Sequence, residues 1–163
     1  MGGSITQNRR AKIKRMENNI HLENPAAYAG LQDKLCLKLV NWILTSEKQG
    51  LWNITIVFVD EKYIIDLNRR FFHKSTPTDV ISFNLSDPQT AEGEVYISVD
   101  TARTNSIYFD VSLDEELFRL IAHGVYHLLE YNDKTEEEKR MMTALENKAL
   151  DYIYSPSNFE QNV

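Results

Sequence analysis

Apolar residues first recur at helical spacing between positions 28 and 43, where Tyr28, Leu31, Leu35, Leu39, Trp42 and Ile43 form one stripe. Asn24-Pro25 ahead of them opens a helix at a position where the missing proline N–H costs nothing, and Gly50 is placed to end it. The pattern therefore predicts a helix from there to about Lys48. Before it, residues 18–23 alternate weakly, as a first strand would. After it, the β-branched and aromatic run 52–59 reads as a buried strand. A short helix is expected over about 61–71, a turn at Pro77, a strand over Val80–Phe83 and another over Glu94–Val99. Ser112 with Glu115, and Thr135 with Glu138, have the spacing of capping boxes. They start two late helices, the second running to about Tyr154, with Glu136–Glu138 at the positive end of its dipole. An early helix, several strands and late helices together predict an α+β fold, a single domain in which helices pack on one small mixed sheet.

Of the four histidines, His21, His73, His123 and His127, two fall in His123-Gly-Val-Tyr-His127 within the first late helix. Side chains at i and i+4 lie one above the other on a helix, so two imidazoles so placed can converge on one ion. The apolar face of this helix carries Leu117, Phe118, Ile121, Ala122, Val125, Leu128 and Leu129. His123 and His127 fall nearly opposite, so they are either a site or ordinary surface residues. Asn132 tolerates left-handed geometry and is placed to close the helix, which brings Asp133 back as a third donor six residues after His127. A zinc protease needs Glu beside the first His as general base, and here that position is Gly124, so that mechanism is not encoded. Gly124 signals instead that a substrate or a neighbouring strand approaches the helix backbone closely.

Charge narrows the partner. The net charge is −6 over 163 residues, yet the first 15 residues hold five of the 18 basic side chains and none of the 24 acidic ones, which leaves −11 on the remainder. An acidic body does not attract nucleic acid through its long-range field, so RNA binding would require a local basic patch, a metal or a partner. Residues 1–15 read as a disordered basic extension or a cloning remnant ahead of a start at Met16, residues 16–155 as the domain, and 156–163 as a flexible tail. The lone Cys36 excludes an intrachain disulfide and reads as a core residue, consistent with a cytoplasmic setting. No run of about 18 apolar residues predicts a membrane span.

The stretch His123-Gly-Val-Tyr-His127-Leu-Leu-Glu-Tyr-Asn-Asp133 resembles the signature of the YbeY family of ribosomal RNA maturation endoribonucleases, whose usual form is His-Gly-x-x-His-Leu-x-Gly-x-Asp-His. Leu67-Asn68, Pro77-Thr-Asp-Val-Ile-Ser-Phe83 and Gly93-Glu-Val-Tyr-Ile-Ser98 match further landmarks in order, so the resemblance covers most of residues 17–154. It implies a single α+β domain holding one divalent ion, zinc by expectation, on His123, His127 and Asp133. Aspartate replaces the third family histidine. Two His and one carboxylate form an accepted catalytic set for zinc and also the set of non-haem iron enzymes. Glu130 stands at the family's Gly and Asn132 at its Asp. A family arginine aligns with the apolar Phe72, so the resemblance shifts the catalytic cation to Arg70 or His73 and the phosphate contacts to Arg69, Lys74 and Arg103. The implied function is a metal-dependent single-strand endoribonuclease in ribosomal RNA maturation and ribosome quality control, with ribosomal RNA and ribosomal proteins as partners and no membrane. The alternatives are a non-catalytic ribosome-associated module with a structural metal, and a metal hydrolase acting on another substrate.

Overall fold

The computed structural model describes residues 17–24 and 31–159. The basic opening 1–15, the expected helix start at Pro25 with Tyr28, and residues 160–163 lie outside the described residues. Strand β1 (Asn19–Glu23) is followed by α1 (Asp33–Ser46), β2 (Trp52–Val59), α2 (Glu61–Phe72), β3 (Val80–Asn84), β4 (Ala91–Ser98), α3 (Val99–Phe109), α4 (Leu113–Leu128), α5 (Glu136–Ile153) and α6 (Pro156–Phe159). One sheet runs in the order β1-β2-β4-β3, with β1, β2 and β4 parallel and β3 antiparallel to β4. This is the α+β single domain with a mixed sheet that the sequence pattern predicts.

Alternation on the strands divides the side chains between two layers. Trp52, Ile54, Ile56 and Phe58 of β2, with Val95 and Ile97 of β4, join α1, α4 and α5 in the main core. On the other face Val59, Ile64, Leu67 and Ile81 form a smaller core under α2. Helix α4 is central to the first layer. It buries Leu117, Phe118, Leu120, Ile121, Ala122, Gly124, Val125, Tyr126 and Leu128, a set that extends well beyond one stripe. Each such large apolar side chain contributes about 1.5–3 kcal/mol by leaving water.

Two glycines set the approach of α4 to the sheet. A β-carbon on Gly124 would overlap Val95 Cγ1 and stand 3.1 Å from Val80 Cγ2, while one on Gly93 would lie 2.7 Å from Leu128 Cδ1. The close neighbour foreseen at Gly124 is therefore a strand. Two hydrogen bonds fix the contact: Ser82 Oγ donates to Gly124 O at 2.8 Å and Asn84 Nδ2 to Leu128 O at 3.2 Å.

Several expected boundaries move. Helix α1 begins at Asp33, after Gln32 in extended conformation, and Asn24 is left-handed with its amide donating to Phe58 O at 3.1 Å. Gly50 does not close α1; the left-handed residue there is Lys48, at φ 53°. Val99 opens α3 rather than ending a strand, because Ser98 caps it by accepting from the Thr101 N–H. That helix has no clear apolar stripe, buries only Val99, Ala102 and Ser106, and so escapes periodicity. Ser112 caps α4 by accepting from the Glu115 N–H at 3.1 Å, whereas the reciprocal box is completed at Thr135 and Glu138. Pro156 starts the short α6 instead of a tail, and Asn158 is buried with its amide donating to Tyr152 O at 2.6 Å.

Gly124→Ala should destabilise the protein by about 1–3 kcal/mol in denaturant unfolding, because overpacking against Val95 exceeds the gain in helix propensity. An unchanged unfolding midpoint would show that α4 can back away from the sheet.

Candidate metal centre

Helix α4 places His123 and His127 one turn apart with rings nearly perpendicular, centroids 4.5 Å apart. The chain then reverses, and the residue that turns it is Glu130, at φ 72°, rather than Asn132. Glu130 N–H donates to His127 O at 3.0 Å and Tyr131 N–H to Tyr126 O at 3.1 Å, the paired bonds of a Schellman motif with Glu130 at its left-handed position. The reversal carries Asp133 back over the histidines.

Three donor atoms converge. His123 Nε2 and His127 Nε2 are 2.9 Å apart, and Asp133 Oδ2 lies 3.3 Å from the first and 3.4 Å from the second. Ligands about 2.0–2.1 Å from a tetrahedral ion stand roughly 3.3–3.4 Å from one another, which both edges to Asp133 match, while the edge between the rings is shorter and opens by a small ring movement to admit a small divalent cation. Among the described residues these three form the group able to hold a metal ion.

The far nitrogens of both rings are already engaged. His123 Nδ1 lies 2.6 Å from Glu146 Oε1, and His127 Nδ1 lies 2.8 Å from Tyr131 O. Both acceptors fix the proton on Nδ1, which turns the Nε2 lone pairs toward each other and toward Asp133. Two lone pairs and a carboxylate facing one another repel unless positive charge lies between them, either a proton on one Nε2, shared across the 2.9 Å contact, or a metal ion in its place. Burial lowers the proton affinity of His123, but the Glu146 hydrogen bond and charge, with Asp79 and Asp133, outweigh it and leave the imidazole above its usual value. The site is nonetheless open on one side: the side chains of His123, His127 and Asp133 are 20%, 27% and 39% exposed.

Outer partners hold this arrangement in place. Arg119 Nη1 donates to Glu146 Oε2 at 3.2 Å and to Asn147 Oδ1 at 3.1 Å, so Glu146 bridges Arg119 and His123. Tyr131 is tied down by its hydroxyl, which donates to Glu47 Oε2 at 2.6 Å. Along the same face of α4, Asn105 Nδ2 bridges Glu116 at 3.1 Å and Asp79 at 3.4 Å. Burial raises the Glu116 carboxyl above the usual range, opposed by the Asn105 hydrogen bond and reinforced by Asp79. The Cys36 thiol, buried in the core, is pushed up to about 12 and is no nucleophile.

Sequence reasoning found the three donors and missed Glu146. The signal was present: Met142, Glu146, Ala149, Leu150 and Ile153 share the buried stripe of α5, and a carboxylate on an apolar stripe needs a partner. The other predicted residues do not join the triad. Arg69 and Arg70 lie on the exposed end of α2, both paired with Asp66, at 2.6 and 3.3 Å. His73 is the left-handed cap of that helix, Lys74 follows it, and Arg103 is exposed on α3.

A model of the family described as endoribonuclease YbeY matches residues 19–154. The chain belongs to the YbeY family. It is 33% identical to endoribonuclease YbeY of Flavobacterium psychrophilum over 122 residues, 73% of this chain and 87% of the relative. Against endoribonuclease YbeY of Karelsulcia muelleri it is 30% identical over 137 residues, 84% of this chain and 92% of the relative. The solution structure of TM1509 from Thermotoga maritima shares the fold, with a TM-score of 0.60, 22% identity, and coverage of 88% of this chain and 93% of that one. The convergent triad thus falls on the segment whose sequence resembles the YbeY signature. Among the described residues no helix is long and apolar enough to cross a membrane.

Glu146→Ala should weaken zinc binding by about 10–100-fold, measured by competition with a chelating dye, with native circular dichroism retained. Undiminished affinity would show that the histidines orient without it. Glu130→Gly should raise stability by about 0.5–1 kcal/mol in denaturant unfolding, since glycine relieves the left-handed strain.

Proposed function

We propose that this chain is a metal-dependent endoribonuclease that cleaves single-stranded segments of ribosomal RNA during maturation and quality control of the ribosome, in the cytoplasm. Membership of a family described as endoribonuclease YbeY supports the activity class. The observation that carries the metal dependence is the convergence of His123 Nε2, His127 Nε2 and Asp133 Oδ2, within 3.4 Å of one another and open on one side. Three protein donors with a solvent-facing fourth position describe a catalytic metal site, whereas a structural site is closed by four. Zinc is the proposed ion.

The chain's own residues divide the task. Glu146 and the Tyr131 carbonyl hold each imidazole as the Nδ1–H tautomer, so that both Nε2 atoms are available as donors. Asp133 closes the set from the loop. A divalent ion bound there would supply a Lewis acid for the phosphoryl oxygens and a water of lowered pKa. The proposed cations for the RNA backbone are Arg70 and His73, with Arg69, Lys74 and Arg103 on flanking phosphates, all set apart from the three donors, so that they act on the strand as it leads to the ion. Ribosomal RNA is the proposed substrate and ribosomal proteins are proposed partners.

Elemental analysis of protein purified without a metal-affinity step should find about one equivalent of zinc. Asp133→Ala should lose both the metal and the cleavage of a short single-stranded ribosomal RNA fragment. Wild-type protein that holds its metal and leaves RNA intact, alone and with ribosomal subunits, would point to a binding module with a structural ion. Full cleavage by metal-free protein would remove the ion from the reaction.

A further inference from the structure

Resting on that reading, we propose that the exposed end of α2 is a stacking platform for single-stranded RNA. Phe71 and Phe72 receive unpaired bases there, and Arg70 and Lys74 receive the adjoining phosphates. In the sequence Arg69-Arg-Phe-Phe-His-Lys74, two phenyl rings lie among three permanent cations and a histidine, with no acid, on a body that is otherwise strongly acidic. Cations near a helix C-terminus need no special explanation, since they complement the dipole and here share Asp66. The phenyl rings do need one. Phe71 is 56% exposed and Phe72 48%, while the core beneath α2 is completed by Ile64, Leu67, Ile81 and Val59.

The rings are ordered by their neighbours. Phe83 of β3 meets Phe71 edge-on at 5.0 Å and lies nearly parallel to Phe72, at 6.1 Å and 14°. Phe83 in turn meets Tyr96 at 5.9 Å, and Tyr96 stacks on Tyr63 at 6.2 Å. A surface of rings already ordered by contacts loses little entropy when a base stacks on it, and stacking tolerates any base. Charge sets the extent of the platform. At the far end the Tyr96 hydroxyl donates to Glu94 Oε2 at 2.7 Å, an acidic neighbour that repels phosphate, so the RNA occupies the Phe71–Phe72 end.

The platform is connected to the metal centre through β3. Odd-numbered Ile81 and Phe83 face α2, while Ser82 and Asn84 hold the backbone of α4 on the opposite face. Strand β3 is an edge of the sheet, so a flexible single strand can pass around it from the stacking face to the donors on α4.

The test is fluorescence anisotropy with a labelled eight-nucleotide single-stranded RNA on the full chain, at several salt concentrations, with RNA integrity checked on a gel. Phe72→Ala should weaken binding at least about fivefold, Phe71→Ala/Phe72→Ala further, and both should leave the salt dependence unchanged. Phe72→Leu, which keeps apolar bulk without a π face, should share the loss with native circular dichroism. Arg70→Ala/Lys74→Ala should flatten the slope of log affinity against log salt by about 1–2. Wild-type affinity in the folded double phenylalanine variant would overturn the platform, and would leave the nuclease reading standing if RNA is still cleaved. Wild-type protein that neither binds nor cleaves RNA would overturn both. Self-association in sedimentation that the double variant abolishes, with RNA affinity unchanged, would assign the patch to a second copy and overturn the platform as well.

Discussion

Gly124 lets the backbone of α4 lie directly against Val95, Val80 and Ser82, where a β-carbon has no room, and Gly93 opens the matching space for Leu128. That close contact fixes the height and rotation of α4, which in turn determines the rest of the site. With one side of the helix pressed on the sheet and another on α1 and α5, only a narrow strip carrying His123 and His127 reaches solvent. A displacement of about 1 Å would spread donor atoms whose useful spacing is set by metal–ligand distances. The precision of the site is therefore a property of core packing, which resists small shifts because interiors are close-packed.

The polar groups beside that strip follow from its partial burial. His123 and Glu116 on α4 and Glu146 on α5 need partners, since an unpaired buried charge is costly. Glu146 answers His123 and is answered by Arg119, while Glu116 is answered by Asn105, which also reaches Asp79. The result is two hydrogen-bonded groups, Asp79–Asn105–Glu116 between α3 and α4 and His123–Glu146–Arg119–Asn147 between α4 and α5. Such groups fix side-chain rotamers without adding much net stability. The consequence of the second is orientation: Glu146 holds the Nδ1 side of His123, as the Tyr131 carbonyl holds that of His127, and Nε2 of each ring is turned to the site.

Legibility in the sequence followed local signals. Strand β2, both late helices, the cap at Thr135 and the histidine pair were all carried by local spacing, and Gly124 announced its close neighbour. Helix α3 was lost because it lies at the rim and buries few side chains, so it lacks periodicity. The closing residue of α4 was misread because Asn tolerates left-handed geometry better than Glu, yet the chain needs that conformation two residues earlier, at Glu130. Position 130 is also where the resemblance expects glycine, which was the better clue. The role of Glu146 depends on a helix 23 residues away from His123 in sequence, and no local pattern reveals which carboxylate on a buried stripe will meet which ring.

The departures from the family signature concentrate at the turn that delivers the third donor, and they are physically coupled. A carboxylate is shorter than an imidazole, so Asp133 reaches His123 and His127 only if the loop brings its backbone close. The Schellman turn at Glu130 and the Tyr131–Glu47 anchor supply that approach. Charge is coupled as well. A third imidazole is neutral, whereas Asp133 adds a negative charge to a site that already has Glu146 behind one ring. With a divalent ion bound as proposed, Asp133 and, behind His123, Glu146 would leave the site little net charge and weaken the ion's pull on oxygen ligands relative to an all-histidine set. On the proposed function, part of the phosphate recognition would then fall to fixed cations and to contacts with the bases. That would place a greater share of substrate binding on the end of α2, where aromatic and basic side chains stand together outside the core.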